Sequence, residues 1–426
     1  MNILVLSSFY PEPDDEPEFG VTPVVSDFCQ NWVKSGHNVV VIHNTWIYNK
    51  LLYLFPLKFR LKLSELLQIK IGSYSQLRKL YTVSNGVQIF RLPQSPPKSN
   101  PRNIKESSIQ LSKEIKILLE NMNFSPTLII GHWTMPQLPL LCELKRTYCC
   151  KVALTFHGMN YLYDPKISEF LQSCIEEVDA VGVRSNAILR NIATITKRTD
   201  VFLCPSGIDL DLSFCREDAV KKYSEMNKQI RFIFVGRLIK RKNLHCFLIS
   251  LKKAFPCGGY KLDIIGVGPE QVKIKRAIRE LELDEFVYMH GLLPHQTVRS
   301  YMKNAHCLVM ASKDEPFGLV YLEAMDSYCT VIASKNEGID GIVRDGYNGF
   351  LVEAGNINDL QQTLIKYSNL DPRQILQIVS NAHKTVEQMS KAKMAQRYLE
   401  SIINTYSHKE PLGNCMGDSM NTDPLD

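Results

Sequence analysis

The chain has 426 residues, 45% hydrophobic and 22% charged, with 50 Lys and Arg against 44 Asp and Glu for a formal net charge of +6. That length points to two or three domains and a large buried core, which excludes a disulfide-stapled miniprotein, and the ordinary charge content excludes a disordered chain. The charge is too mild to imply nucleic acid, and no run of about 18 apolar residues marks a membrane span.

The opening MNILVLSSFYPEPDDEPEFG lacks a basic leader region and turns acidic at once, so it reads as a first strand and not as a signal peptide. The twelve cysteines form no Cys-x-x-Cys, and several, such as Cys307 and Cys329, sit in apolar runs. They read as buried, reduced thiols of a cytosolic protein.

From there the chain alternates short β-branched runs with amphipathic stretches, the pattern of βαβ units and parallel sheets. Strands are predicted at Ile3–Leu6, Val39–Ile42, Val87–Arg91, Thr127–Ile130, Val152–Phe156, Ala180–Val183 and Val201–Leu203. A second series follows at Arg231–Val235, Lys261–Ile265, Phe286–Met289, Cys307–Met310, Val331–Ala333 and Gly349–Val352. Helices are predicted between them at Ser107–Asn123, Asn243–Ala254, Pro269–Glu282, Leu319–Met325 and Asn358–Tyr367, with long helical patterns from Asp371 to Tyr406. Two successive sets imply two doubly wound α/β domains, divided near the turn-rich CPSGIDLDLS of Cys204–Ser213. The tail from His408 to Asp426 has little periodicity and reads as disordered.

Trp46–Leu80 breaks the pattern. It carries Lys50, Lys58, Arg60, Lys62, Lys70, Arg78 and Lys79 against the single acid Glu65, among many leucines and phenylalanines. A basic, apolar stretch can lie on an anionic membrane surface; the alternative is an inserted hairpin with a solvated basic face.

Four stretches carry chemistry. TFHG, Thr155–Gly158, places His157 at a strand's carboxyl end, where it could hydrogen-bond a sugar hydroxyl or a phosphate. FIFVGRLIKRKN ends a strand at Gly236 and follows it at once with Arg237, Lys240, Arg241 and Lys242. Open α/β sheets bind ligands beyond the carboxyl ends of strands, and Arg and Lys suit phosphates. IIGVGP, with Gly266 and Gly268, is a Gly-rich turn after a strand, but Gln271 stands where a dinucleotide fingerprint needs its third glycine, which disfavours a nicotinamide enzyme. DEPFGLVYLEAMD sets Glu315 and Glu323 eight apart, with Pro316 suited to a first helical turn and Gly318 admitting a ligand to the backbone. N–H groups at such a helix start can hold an anion or sugar hydroxyls. Asp209 and Asp211 could suggest a metal; after a Pro-Ser-Gly turn they read as turn and cap chemistry. No His/Cys cluster has metal-ligand spacing, and no G-x-S-x-G elbow occurs.

GRLIKRKN, IIGVGP, HGLLPH, EPFGLVYLEA and DGYNGFLV, in that order, resemble the retaining glycosyltransferases of the GT-B fold in the group often called family 4, or glycosyl transferases group 1. TFHG and PSGID agree, and the likeness covers nearly the whole chain, most strongly from Phe232 to Val352. The resemblance implies two Rossmann-like domains facing each other across a cleft. The acceptor-side domain would take residues 1–205, with a helix at 392–407 returning to it, and the donor domain residues 206–391.

It implies further that Arg237 and Lys242 hold the diphosphate of a UDP- or GDP-linked sugar. Glu323 would accept the ribose hydroxyls, and Glu315 would face the donor sugar. Phe317, Gly318, Leu319 and Val320 would contact sugar and phosphate through their backbone, with Gly236, Gly266 and Gly268 near the nucleotide. His157 and Gly20 would close the site from the first domain. No cofactor or metal is implied, since the positive side chains stand where other transferases use a divalent ion. Two positions depart from the family pattern: Asn243 replaces the glycine usual after the lysine, and Gly20 stands alone after Phe19 where paired glycines are usual.

The activity implied is transfer, with retention of configuration, to a saccharide or lipid-linked acceptor in cell-surface polysaccharide or lipopolysaccharide synthesis, in the cytoplasm or at the inner face of the membrane. The alternatives are a non-catalytic nucleotide-sugar-binding relative and a sugar-nucleotide epimerase on the same fold.

Overall fold

The computed structural model describes residues 1–11, 22–67, 71, 77–96, 100–158, 160–226 and 229–407. Gly20 and the tail 408–426 lie outside these residues.

The first unit is an eight-stranded sheet of β1 (Asn2–Ser7), β2 (Asn38–Trp46), β3 (Leu80–Ser84), β4 (Val87–Gln94), β5 (Leu128–His132), β6 (Lys151–Phe156), β7 (Ala180–Val183) and β8 (Val201–Leu203). Their order is β3-β4-β2-β1-β5-β6-β7-β8. All are parallel except β3, which pairs antiparallel with β4. Helices cover both faces of such a sheet, so its central strands are apolar on both sides: Ile3, Leu4, Val5 and Leu6 are fully buried.

Strand β3 is absent from the sequence reading because its residues are exposed at the sheet edge and show no alternation. It joins β4 through a two-residue hairpin at Asn85 and Gly86, which both take positive φ, 49° and 79°. The helix Pro101–Asn121 starts six residues before its predicted beginning at Ser107. Asn100 caps it by accepting from the Arg102 and Asn103 amides at 2.9 and 3.4 Å, with Pro101 in the first turn.

The second unit is a six-stranded parallel sheet of β9 (Ile230–Val235), β10 (Tyr260–Ile265), β11 (Val287–Gly291), β12 (Cys307–Met310), β13 (Thr330–Ser334) and β14 (Phe350–Val352). Its order is β11-β10-β9-β12-β13-β14. In both sheets the winding reverses at an inner pair, β1/β5 and β9/β12. The carboxyl ends at such a reversal are where open α/β sheets take their ligands.

Two chain crossings join the units and lie side by side. The Ile208 amide donates to the Met389 carbonyl at 3.0 Å, and the Lys391 amide donates to the Ile208 carbonyl at 3.1 Å. Gly207 permits the approach, because a Cβ there would sit 2.5 Å from the Ser390 carbonyl carbon. Beyond the crossing, the helix Lys391–Ser407 packs against the helix Val24–Lys34 of the first unit. Trp32 Nε1 donates to the Ala395 carbonyl at 2.8 Å. Tyr398 is buried against Phe28 and Trp32, with ring centroids 5.0 and 5.5 Å away. Its hydroxyl lies 2.5 Å from Thr155 Oγ1.

Between β2 and β3 a 3-10 turn, Lys50–Leu54, leads to a helix, Leu57–Leu67. Tyr53 is buried, and Arg60 turns inward to donate through Nε to the Phe55 carbonyl at 3.0 Å. Leu51, Leu54, Phe55 and Phe59 stay 44–66% exposed. Among the described residues no helix is long and apolar enough to cross a membrane. The described cysteines are all free thiols, and Cys29, Cys142, Cys174, Cys204, Cys307 and Cys329 are buried.

Candidate active site

The second unit gathers the turns after β9, β10 and β12. Gly236 ends β9 at φ 155°. Gly266 lies against it so closely that a Cβ would meet the Gly236 carbonyl oxygen at 2.0 Å, and one on Gly268 would meet the Leu238 oxygen at 2.4 Å. These glycines let two strand ends touch through backbone. Arg237 stands exposed at the turn, and Lys240–Lys242 form a single 3-10 turn.

Asn243 follows in the left-handed region, φ 52°, which explains how asparagine serves where the family usually has glycine. Its Nδ2 donates to the Ala311 carbonyl at 2.7 Å, tying the basic turn to the segment after β12. The Lys313 amide donating to the Arg241 carbonyl at 2.7 Å does the same.

This junction places Lys242 Nζ 2.5 Å from Glu315 Oε2, both side chains nearly buried, with Arg241 Nη1 3.2 Å from the same oxygen. Burial pulls the Lys242 pKa down, and the Glu315 carboxylate partly restores it. The Glu315 amide donates to Glu337 Oε2 at 2.8 Å, fixing the backbone from which that carboxylate projects.

The helix predicted at Leu319–Met325 is found at Leu319–Asp326, with Gly318 at its N-cap in a left-handed φ of 87°. The proline thus belongs to the loop, and Gly318 makes the turn into the helix. The first amides of Leu319–Asp326 are the donors that a helix leaves without internal carbonyls, a natural site for an anion. One turn on, Glu323 Oε1 lies 2.9 Å from His295 Nε2. That hydrogen bond raises the His295 pKa against a modest burial cost. Arg299 Nη1 donates to the Glu323 carbonyl at 2.5 Å and holds the turn from the neighbouring helix.

In the first unit His157 follows β6, Trp133 follows β5 and Phe9 follows β1, three adjacent strands. The His157 ring stacks on Trp133 with centroids 4.0 Å apart and planes 17° from parallel. Phe9 lies on the indole at 4.8 Å and remains partly exposed. Trp133 has φ 68°, a rare conformation for a bulky residue. His157 Nε2 lies 3.0 Å from Nδ1 of the buried His132.

Arg184, after β7, donates to Ser206 and rests 5.3 Å over the Phe317 ring of the second unit. Burial lowers the Arg184 pKa. Burial first, then the Arg184 charge, lowers the pKa of His132 to about 3 and that of His157 well below its usual value. Asn186 adds a second contact between the units, donating through Nδ2 to the Asp340 carbonyl at 3.2 Å.

The structure therefore brings Gly236, Gly266, Gly268, Lys242, Glu315, Phe317 and Gly318 into one region of the second unit. Arg184 links that region to the surroundings of His157. Sequence reasoning missed Arg184, Trp133 and His132. The available signal was position, since polar or aromatic residues directly after the buried runs IIGHW and AVGVR fall at strand carboxyl ends. Asp209 pairs with Lys391 at 2.7 Å. Asp211 accepts from the Ser213 amide at 3.0 Å and pairs with Lys303 at 2.7 Å. Among the described residues no group of three or more His, Cys, Asp or Glu is placed to hold a metal ion.

Two Rossmann-like sheets wound in this way are the GT-B fold. The fold is shared with the Anabaena protein HepE solved with UDP and glucose, at a TM-score of 0.64 and 15% identity, covering 95% of this chain and 100% of that one. Residues 20–212 match the family described as Glycosyltransferase Family 4, and residues 216–385 match Glycosyl transferases group 1. The chain belongs to this family of glycosyltransferases. An uncharacterized glycosyltransferase of Methanocaldococcus jannaschii is 29% identical over 255 residues, 57% of this chain and 65% of that relative. The capsular polysaccharide biosynthesis glycosyltransferase CapM of Staphylococcus aureus is 25% identical over 265 residues, 59% of this chain and 67% of CapM. The match thus spans just under two thirds of the length of the first of these relatives.

Proposed function

We propose that the protein transfers a sugar from a nucleoside diphosphate sugar, UDP- or GDP-linked, to a saccharide or lipid-linked acceptor, with retention of anomeric configuration and without a metal ion. The observation that carries this reading is the nearly buried Lys242–Glu315 pair, 2.5 Å apart, beyond the carboxyl end of β9 and before the helix Leu319–Asp326. With a donor bound, the Lys242 ammonium would trade that carboxylate for a phosphate oxygen, another anion that keeps the buried charge paired.

On this reading Lys242 and Arg237 neutralise the charge that grows on the leaving diphosphate, a stabilisation strongest in the transition state. Amides at the start of the helix Leu319–Asp326 add further donors. Glu323 takes the ribose hydroxyls, replacing its bond to His295. Glu315, released from Lys242, accepts from hydroxyls of the donor sugar. As the leaving group departs, the acceptor oxygen attacks from the face it vacates, which preserves the configuration. The two units exclude water and limit donor hydrolysis.

CapM is named as a glycosyltransferase of capsular polysaccharide biosynthesis. We assign this chain to the same kind of pathway, on the cytoplasmic side of a membrane. The exposed Leu51, Leu54, Phe55 and Phe59 beside Lys50, Lys58 and Lys62 form the surface that would meet anionic lipid.

The test is incubation of the purified chain with a panel of UDP- and GDP-sugars, starting with UDP-linked ones, and lipid-linked saccharides in a chelator. Proton NMR then reads the new glycosidic bond. Transfer that survives the chelator and keeps the donor's anomeric configuration supports the reading. An inverted linkage, or activity only with added metal, overturns it.

A further inference from the structure

We infer that His132 is a positioning residue that fixes the tautomer of His157, so that His157 offers the cleft a hydrogen-bond donor and cannot serve as a general base. The inference goes beyond the proposed transfer and rests on it only for its consequence in turnover.

The two imidazoles share one hydrogen bond, His132 Nδ1 to His157 Nε2, at 3.0 Å. Both rings are held neutral by burial and by Arg184. A neutral imidazole has one N–H and one bare nitrogen, so one ring donates and the other accepts. His132 is fully buried and packs near Phe28, Trp133 and Tyr398, with centroids 5.8 to 6.4 Å away. Its Nε2 is buried and has no hydrogen-bond partner among the described residues.

If His157 were the donor, the proton of His132 would sit on Nε2 as an orphaned buried N–H, which proteins rarely tolerate. If His132 donates from Nδ1, its Nε2 is only a bare lone pair. His157 then accepts at Nε2 and must carry its proton on Nδ1. Among the described residues that atom has no hydrogen-bond partner, and it is not one of the buried unpaired atoms, so it reaches the surface of the partly exposed His157.

The stack on Trp133, 4.0 Å away and nearly parallel, sets the plane of the His157 ring, while His132 sets which nitrogen is protonated. His157 therefore donates to a hydroxyl or phosphate oxygen. The proton released by an attacking acceptor hydroxyl goes to another base, for which the departing diphosphate oxygen is suited.

The experiment is long-range proton–nitrogen NMR on 15N-histidine-labelled, donor-free full chain, with the two rings assigned from His132→Gln and His157→Gln spectra. The expected result is His157 protonated on Nδ1, His132 protonated on Nδ1, and no titration of either between pH 5 and 8. His157 protonated on Nε2, or a ring that charges in that range, overturns the inference.

The second measurement is His132→Phe, which keeps the ring but removes the bond and the unpaired nitrogen. It should melt cooperatively near the wild-type temperature, lose the uniform Nδ1-protonated signature of His157, and lose about tenfold in kcat, the size of one well-aimed hydrogen bond. An unchanged His157 signature in this variant also overturns the inference. The NMR readout needs no turnover, so failure of the transferase assignment and failure of this one are told apart.

Discussion

The residues with the most to lose are the charged ones that burial holds in place. Lys242 and Arg241 share one oxygen of Glu315, so Lys242→Ala leaves that carboxylate a partner. The variant should stay folded, with a melting temperature within a few degrees of wild type, while kcat for transfer falls by roughly 10²–10³ as a charge aimed at the leaving group is lost. Near wild-type transfer would remove the diphosphate role. Glu323→Ala should weaken nucleoside diphosphate binding about tenfold by calorimetry, the cost of one charged hydrogen bond pair; unchanged affinity would remove the ribose role.

His295 adds a pH dependence. Its folded pKa is raised by the bond to Glu323, so its stabilisation is complete below the unfolded value of about 6.5 and fades as pH rises through the raised value. The side chain is 70% exposed, which limits the effect to a few tenths of a kcal/mol. His295→Gln should therefore melt slightly below wild type at about pH 5, and the two should converge at about pH 8. Of these residues, Arg237, Lys242, Glu315 and Glu323 were legible from local motifs. His295 and Arg184 were not, because their partners lie 28 and more than 100 residues away and only folding brings them together.

Elements were legible where a compact apolar run stands out in the sequence. Ala180–Val183 and Cys307–Met310, buried at every residue, coincide with the predicted strands, and so does the partly exposed Val201–Leu203. The exposed edge strand β3 escaped notice because exposure erases the alternation on which such a reading depends. The helix Leu319–Asp326 opens at its predicted residue, where Gly318 supplies the positive φ that turns the chain into it, and Pro316 stays in the loop before it.

The docking of the last helix is the element-level contact with the clearest energetic stake. Trp32→Phe would remove the donor to the Ala395 carbonyl at 2.8 Å and leave a small void in a buried aromatic cluster. The expected cost is about 2–3 kcal/mol, read as a lower denaturant midpoint. A wild-type midpoint would show that the final helix contributes little to the first unit's stability.

For the whole molecule the deciding features are the paired crossings at Gly207 and Ser390 and the seam where Arg184 meets Phe317. They hold the carboxyl ends of the two sheets in contact, so that motifs from separate thirds of the chain share one site. The surface at Leu51, Leu54, Phe55 and Phe59 belongs to the first unit, between β2 and β3, outside this site. Replacing all four with serine should abolish flotation of the chain with vesicles containing anionic lipid while leaving its melting temperature nearly unchanged, because these side chains are exposed. Equal flotation of the variant would assign the patch another role.

The sequence by itself determined the two sets of βα units, their parallel sheets and the basic, glycine-rich turns that would receive a phosphate. Those features follow from near-neighbour chemistry, since apolar runs must be buried and special φ values demand glycine or asparagine. Only the tertiary structure decided that Lys242 rests on Glu315, that Glu323 is held by His295, and that His157 is fixed between Trp133 and His132. Those pairings depend on which strand ends the winding of each sheet brings together, and no local pattern of residues encodes that distance.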